Sequence, residues 1–296
     1  MAGHRPDALA HLQTGRGQHQ GQDGGKNCYG RQLARVQAPQ YHETLFSRLY
    51  PGKQESSTTY PPVLAALESF LAWTPEQKQR TVLRTDFGFG SDANINLALA
   101  AHWQVLTKNK GGRRPQAFAR RITEAAWQDL GQERWVAPVP NPPTYVCPTQ
   151  FLLLRWQTEQ GAVKHAPVVC SVLDWSLAEV IANYDDRGAG ETEVQADKGG
   201  LKLERRRKKH LAAQEALILL TDIGHNLLAW DRQWMFPTGE LASFGTLRLT
   251  EDVLCLPGHL LFDGERLVEV HLNELHPHAA EVAAGLERLL AHFGHP

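Results

Sequence analysis

The sequence predicts an α/β protein whose layered core is interrupted by a block of strands. Three observations lead there. Strand-like and helical runs alternate between residues 30 and 133, the pattern turns to strands between 134 and 173, and helical periodicity returns over 174–235.

The elements follow in order. Residues 1–29 hold six glycines and no Val, Ile, Phe or Trp, so they cannot bury enough apolar surface to offset their ordering entropy. This segment is expected to be disordered or out of frame. Arg31–Ala38 alternates like a strand, and Glu43–Tyr50 reads as its neighbour before the Pro51-Gly52 turn. Pro61–Trp73 reads as an amphipathic helix with proline at its start. Thr81–Phe87 is a strand running into the Gly88/Gly90 turn, and Ser91–His102 is a helix capped by Ser91 or Asp92. Trp103–Thr107 is a strand ending in the basic loop Lys108–Arg114, and a helix is expected over Ala117–Leu130.

The block at 134–173 contains the strand-like WVAPV, TYVCPTQFLLLRWQT and PVVCSVL. Leu177–Lys198 is helical in pattern with a soft spot at Gly188 and Gly190. Leu211–Met235 is a long helix, apolar on most sides and therefore expected to be mostly buried. Residues 236–296 hold short strands around Asp263-Gly264 and a last helix over Ala279–Phe293.

Composition narrows the classes. At 296 residues with 42% hydrophobic and 21% charged residues, the chain is ordinary for a globular protein. It has no apolar run of about 18 residues and no secretory pattern at its start, so a cytoplasmic protein without a membrane partner is expected. Cys28, Cys147, Cys170 and Cys255 form no CxxC pair, which fits free thiols better than disulfides or zinc. The histidines at 271, 276 and 278 offer no ligand spacing, and FGFGSD lacks a complete dinucleotide fingerprint.

The net charge of −1 hides a dense cluster: seven of the twelve residues Lys198–Lys209 are Lys or Arg, and Arg205, Arg206, Arg207, Lys208 and Lys209 are continuous. A solvated helix face accounts for such a run, and so does a phosphate-facing patch. Just upstream, Tyr184, Arg187, Glu191 and Lys198 fall within about 60° of one another on a continuous helix. A carboxylate suits Mg²⁺ or Mn²⁺, and guanidinium and ammonium groups suit phosphate oxygens. Ordinary exposed helix chemistry would produce the same face. Asp86 ends a strand, where α/β sheets place their sites, although an Asp before this turn also reads as a turn former. Trp135, Trp156 and Trp175 lie in or beside the strand block, as core or as a platform for a flipped base.

The spacing Y-x2-R-x3-E-x6-K resembles the signature of DDE transposases of bacterial insertion sequences. The segments GLKLERRRKKHLAAQEALILLTDIGHNLLAW, TVLRTDFGFGSDANINLALAAHWQVLTKN and GRQLARVQAP are similar to that family's later and earlier elements, over about residues 30–235. The resemblance implies an RNase H-like mixed sheet flanked by helices, with a β-rich insertion before the catalytic Glu helix. It implies metal-dependent DNA cleavage and strand transfer, with Asp86 and Glu191 as ligands of Mg²⁺ (or Mn²⁺), two ions being held where the family's first aspartate is also present. Tyr184, Arg187, Lys198, Arg205, Arg206, Arg207 and Lys208 would contact the double-stranded DNA of transposon ends, and a homodimer is left open.

One feature departs from the family. Its first catalytic aspartate lies on the opening strand, yet residues 1–29 contain only Asp7 and Asp23, neither in an apolar run. The first core strand is therefore expected to be missing, through a frameshift or misassigned start, and the chain to be inactive as written. The expected segments are 1–29, 30–133, 134–173, 174–235 and 236–296. A catalytically dead DNA-binding protein, acting as an inhibitor of an intact transposase, is the alternative, and a hydrolytic nuclease a third reading.

Overall fold

The structure is a computed structural model that describes residues 8–15, 31–51, 54–111, 114–186, 188–203 and 208–294; over 8–15 and 188–191 it describes the backbone alone. Contacts divide the chain into two units, residues 1–40 with 45–191, and residues 41–44 with 192–296.

The first unit is built on strands β1 (Ala8–Gly15), β2 (Arg31–Ala38), β3 (Glu43–Pro51), β4 (Thr81–Thr85), β5 (Gln104–Lys108), β6 (Gln128–Gly131), β7 (Arg134–Pro138), β8 (Gln150–Gln157) and β9 (Val163–Cys170). They form one sheet in the order β3-β2-β1-β4-β5-β9-β8-β7-β6. Strand β1 runs antiparallel to β2 and parallel to β4, and β4 runs parallel to β5. That five-strand order is the RNase H-like mixed sheet. The strand block then extends the same sheet through antiparallel pairings from β5 to β6.

Strand β1 corrects the sequence expectation. Residues 8–15 are a strand, and the first core position is filled rather than missing. Its sequence ALAHLQTG is apolar or small at alternate positions, and backbone pairing on both sides supplies what its side chains lack. The remainder of 1–29 lies outside the described residues.

Helices cover both faces of the sheet. Val63, Leu67, Ile95 and Leu99, from α1 (Ser56–Leu71) and α3 (Asp92–Ala100), pack with Leu83 and Val105 on one face. Val180, Ile181 and Tyr184 of α5 (Leu177–Asp185) pack with Val82 and Leu106 on the other. A strand alternates its faces residue by residue, so Val82, Arg84 and Asp86 share the α5 side. The short α2 (Pro75–Gln79) carries a capping box at Thr74 and Gln77.

Three helical expectations are revised. Helix α1 begins at Ser56, so Pro61 and Pro62 sit inside it. Pro61 has no N–H for the Ser57 carbonyl, and the Asn94 side-chain amide donates to that carbonyl instead at 3.0 Å. The helix expected over Ala117–Leu130 ends early as α4 (Arg114–Ala119), and Gln128–Gly131 instead forms β6, which turns into β7 through Gly131, Gln132 and Glu133, all at positive φ. Leu177–Lys198 is not one helix: α5 stops at Asp185 and α6 spans Gly188–Gly200. The buried Arg84 guanidinium terminates α5, donating to the Asn183 carbonyl at 2.7 Å and the Asp186 carboxylate at 2.9 Å.

The second unit holds most of α6, α7 (Leu211–Met235), the short α8 (Thr246–Arg248), the hairpin β10 (Gly258–Asp263) and β11 (Arg266–Leu272), and α9 (Ala279–Phe293). Leu228, Met235, Phe236, Leu241, Phe244 and Val282 form its core. Helix α7 matches the expected bounds but not the expected burial, since Leu219, Leu220, Ile223 and Leu227 are exposed. Among the described residues no helix is long and apolar enough to cross a membrane.

Candidate active site

In the first unit, register defines a row of residues at one edge of the sheet. Leu12 of β1 pairs with Thr85 of β4, and Thr85 with Thr107 of β5. The Thr85 hydroxyl donates to the Thr107 hydroxyl at 2.7 Å, fastening the two parallel strands where they end. One step further along these strands stand Gln13, Asp86 and Lys108.

Asp86 is half-buried, and its carboxylate accepts the Phe87 N–H at 2.7 Å as the chain enters a 3-10 turn. Close backbone approach fixes that turn. A Cβ at Gly90 would lie 1.9 Å from the Lys108 carbonyl, and Lys110 N–H donates to the Gly90 carbonyl at 2.7 Å.

A polar clamp absent from the sequence reading completes this edge. Ser91 is the N-cap of α3, which releases the Asp92 side chain for other work. That carboxylate accepts from Arg114 at 2.6 Å, Asn109 at 2.7 Å and Tyr145 at 2.9 Å. Burial pushes the Asp92 carboxyl up, but these hydrogen bonds outweigh it and hold the group below the ordinary Asp value. Burial and the adjacent carboxylate push the Tyr145 phenol up. The basic loop after β5 is thereby tied down at Arg114 by Asp92, and at Lys110 by Glu55. No spacing rule links residues 92, 109, 114 and 145, so only a reading of Asp92 as more than a cap would have found the clamp.

The expected residues part company in the structure. Tyr184 and Glu191 belong to different helices, so the single helical face does not form. Tyr184 is buried, its ring 4.9 Å from the Lys108 ammonium, rather than presented on an open face. Glu191 lies on α6, where only the backbone is described, and Lys198 is half-buried further along that helix. Lys208 is exposed. Asp7, Asp23, Arg187, Arg205, Arg206 and Arg207 lie outside the described residues.

Two tryptophans of the strand block are engaged within the unit. Arg155 sits 4.8 Å from the Trp135 ring and 4.3 Å from that of Trp127, and Lys108 lies 5.8 Å from that of Trp156. Among the described residues no three His, Cys, Asp or Glu side chains gather to hold a metal ion.

The second unit contains another polar cluster. The buried Asp197 of α6 accepts from the Thr246 hydroxyl at 2.8 Å and meets His225 Nδ1 at 2.9 Å. His225 Nε2 faces the His42 carbonyl at 2.9 Å, and a carbonyl only accepts, so that nitrogen carries a proton. Asn226 brackets the Thr44 backbone, accepting its N–H at 2.8 Å and donating to its carbonyl at 2.9 Å. Residues 42–44 are thus bound to α7 by polar contacts. The signal was visible as Asp222, His225 and Asn226 inside an apolar helix, but nothing in the sequence named their partners.

No curated protein matches this sequence. A solved piggyBac transposase synaptic complex with hairpin DNA is similar over 76% of this chain, at 11% sequence identity and a TM-score of 0.47. The chain spans 47% of that transposase's length. A profile of the transposase DDE domain group 1 family matches residues 38–292, most of the chain, and the chain belongs to that family.

Proposed function

We propose that this chain is the catalytic domain of a DNA transposase whose metal-binding set is incomplete, so that as written it does not cut or join DNA. Asp86 and Glu191 are the carboxylates assigned to a divalent ion, Mg²⁺ or Mn²⁺. When bound, two such ions activate a nucleophile and stabilise the leaving oxygen in phosphodiester chemistry. The observation that carries the reading is the register of the sheet. The β1 residue in the Asp86 row is Gln13, and ALAHLQTG contains no carboxylate at all. An amide is a weaker ligand for a hard cation than a carboxylate, and the described side chains supply no substitute.

The same sheet edge supports DNA as the partner. Lys108 ends β5, one residue past the row of Thr85 and Thr107, and Lys110 and Arg114 follow it on the segment that Glu55 and the Asp92 clamp hold in place. These cations support phosphate contacts on the first unit, and in the second unit Lys198 on α6 and the sequence stretch Arg205–Lys208 carry further positive charge of the same use. Tyr184 serves this edge by holding Lys108 rather than by touching DNA. The cytoplasm is the compartment that fits such a protein.

The test uses duplex DNA from the sequence flanking the gene, with Mg²⁺ or Mn²⁺. The chain as written is expected to bind in a salt-sensitive manner and to give no cleaved or joined product. Gln13→Asp is expected to yield metal-dependent cleavage, and D86N in that background to remove it. Joining of DNA ends by the unaltered chain would overturn the reading. Binding with no gain from Gln13→Asp would favour a stand-alone DNA-binding protein that inhibits an intact transposase.

A further inference from the structure

Helix α7 buries one side in the core of the second unit through Ile218, Thr221, His225, Leu228 and Ala229. Its opposite side should be polar, and it is not. Leu219, Leu220, Ile223 and Leu227 are 44%, 63%, 56% and 50% exposed, and Ala212 and Ala216 are exposed as well. At about 100° per residue, positions 212, 216, 219, 223, 227, 230 and 234 all fall within about 40° of Ile223. Every one of them is Ala, Leu, Ile or Trp, and no charged residue enters the stripe.

The order of sizes along the stripe identifies what covers it. Positions equally distant from Ile223 are Leu219 with Leu227, Ala216 with Trp230, and Ala212 with Trp234. Two copies of α7 laid antiparallel about a two-fold axis at Ile223 bring these pairs to the same level. The small alanines of one copy then receive the tryptophans of the other, and leucine meets leucine. Large against small across a seam is how apolar surfaces interdigitate, and a two-fold interface must be self-complementary in this way. A parallel pair would set tryptophan against tryptophan and alanine against alanine. The tryptophans are held ready: Trp230 donates to Glu43 at 2.7 Å, and Trp234 packs on His292 and Phe293 of α9. The stripe is about 33 Å long, just over three heptads.

We propose that the exposed face of α7 is a dimer seam whose partner is a second copy of this chain, antiparallel and centred on Ile223. This inference stands apart from the DNA reading, and either can fail alone. Sedimentation equilibrium of the full chain across the micromolar range should show a dimer. Ile223→Lys, at an exposed position, should weaken it about a hundredfold or more with the far-UV spectrum unchanged, since it buries two like charges side by side. In a background of C28S, C147S and C255S, Ile223→Cys should form an intermolecular disulfide on oxidation. Ala212→Cys should not, because its own mate lies about 33 Å away. A monomer at all concentrations, a dimer indifferent to Ile223→Lys, or cross-linking by Ala212→Cys as efficient as by Ile223→Cys would each overturn the proposal.

Discussion

Asp86 and Asp197 are aspartates of the two units, one in each, and their surroundings differ in kind. Asp86 stands half-buried where β4 ends, accepting the N–H of the next residue and keeping access to solvent. Asp197 is enclosed, held by an imidazole and a hydroxyl whose own helices are packed around it. Burying a carboxylate is costly unless bonds to the charged form offset the desolvation, and Asp197 has them. The difference teaches how to sort polar residues in this protein: the enclosed one is part of the packing of its unit, and the half-buried one stands at a strand end that solvent reaches.

The largest effect should come from the enclosed group. Asp197→Ala leaves His225 and Thr246 buried without their acceptor, and about 3–5 kcal/mol of stability should be lost. Asp86→Ala, at a half-exposed position, should cost no more than about 1 kcal/mol. Urea titrations followed by far-UV dichroism compare the two directly. Equal losses would break the distinction and make Asp86 a structural residue.

That contrast also explains what the sequence could and could not reveal. The alternation of strand and helix, the strand block after β5 and the bounds of α7 were legible because they rest on local periodicity. The place of Asp86 at the end of a strand was legible because a strand running into a glycine turn is a local pattern. Strand β1 was missed because its composition argues against order, and its pairing with β2 and β4 is set by partners far along the chain. The break between α5 and α6 was marked only as a glycine soft spot. Its cause is Arg84, about a hundred residues earlier, reaching the end of α5. Asp197 with His225, and Asp92 with Asn109 and Tyr145, were invisible for the same reason.

Arg84 offers an intermediate test of the sorting rule, since it is a buried cation whose partner Asp186 is largely exposed. Arg84→Met keeps most of the side-chain volume but removes the donors to the Asn183 carbonyl and to Asp186. Hydrogen bonds from a buried charged group support a loss of about 2–3 kcal/mol. Asp186→Ala should cost less than about 1 kcal/mol, as a surface partner does, because the Asn183 carbonyl bond survives it. If the two substitutions cost the same, the ion pair rather than the helix end is what Arg84 serves.

The smallest effect, and the one most informative about the site, is the pH dependence at Asp92. Its carboxyl is held below the ordinary Asp value of about 3.9 in the folded chain, chiefly by Arg114, Asn109 and Tyr145 working against burial. A depressed folded-state value means that the charged form stabilises the fold. The contribution is therefore complete above the ordinary value and is lost as pH falls through the depressed one. Asp92→Asn removes it at every pH. The stability gap between the unaltered chain and Asp92→Asn should be about 1 kcal/mol at neutral pH, kept small by the carboxylate's partial exposure, and should close below about pH 4. Because the clamp ties down the basic loop beside Asp86, the same variant should also weaken DNA binding at neutral pH while the global fold persists. A gap that stays constant down to pH 3 would show that geometry, not charge, holds the loop, and the edge around Asp86 would then depend on Gly90 and the β5 backbone alone.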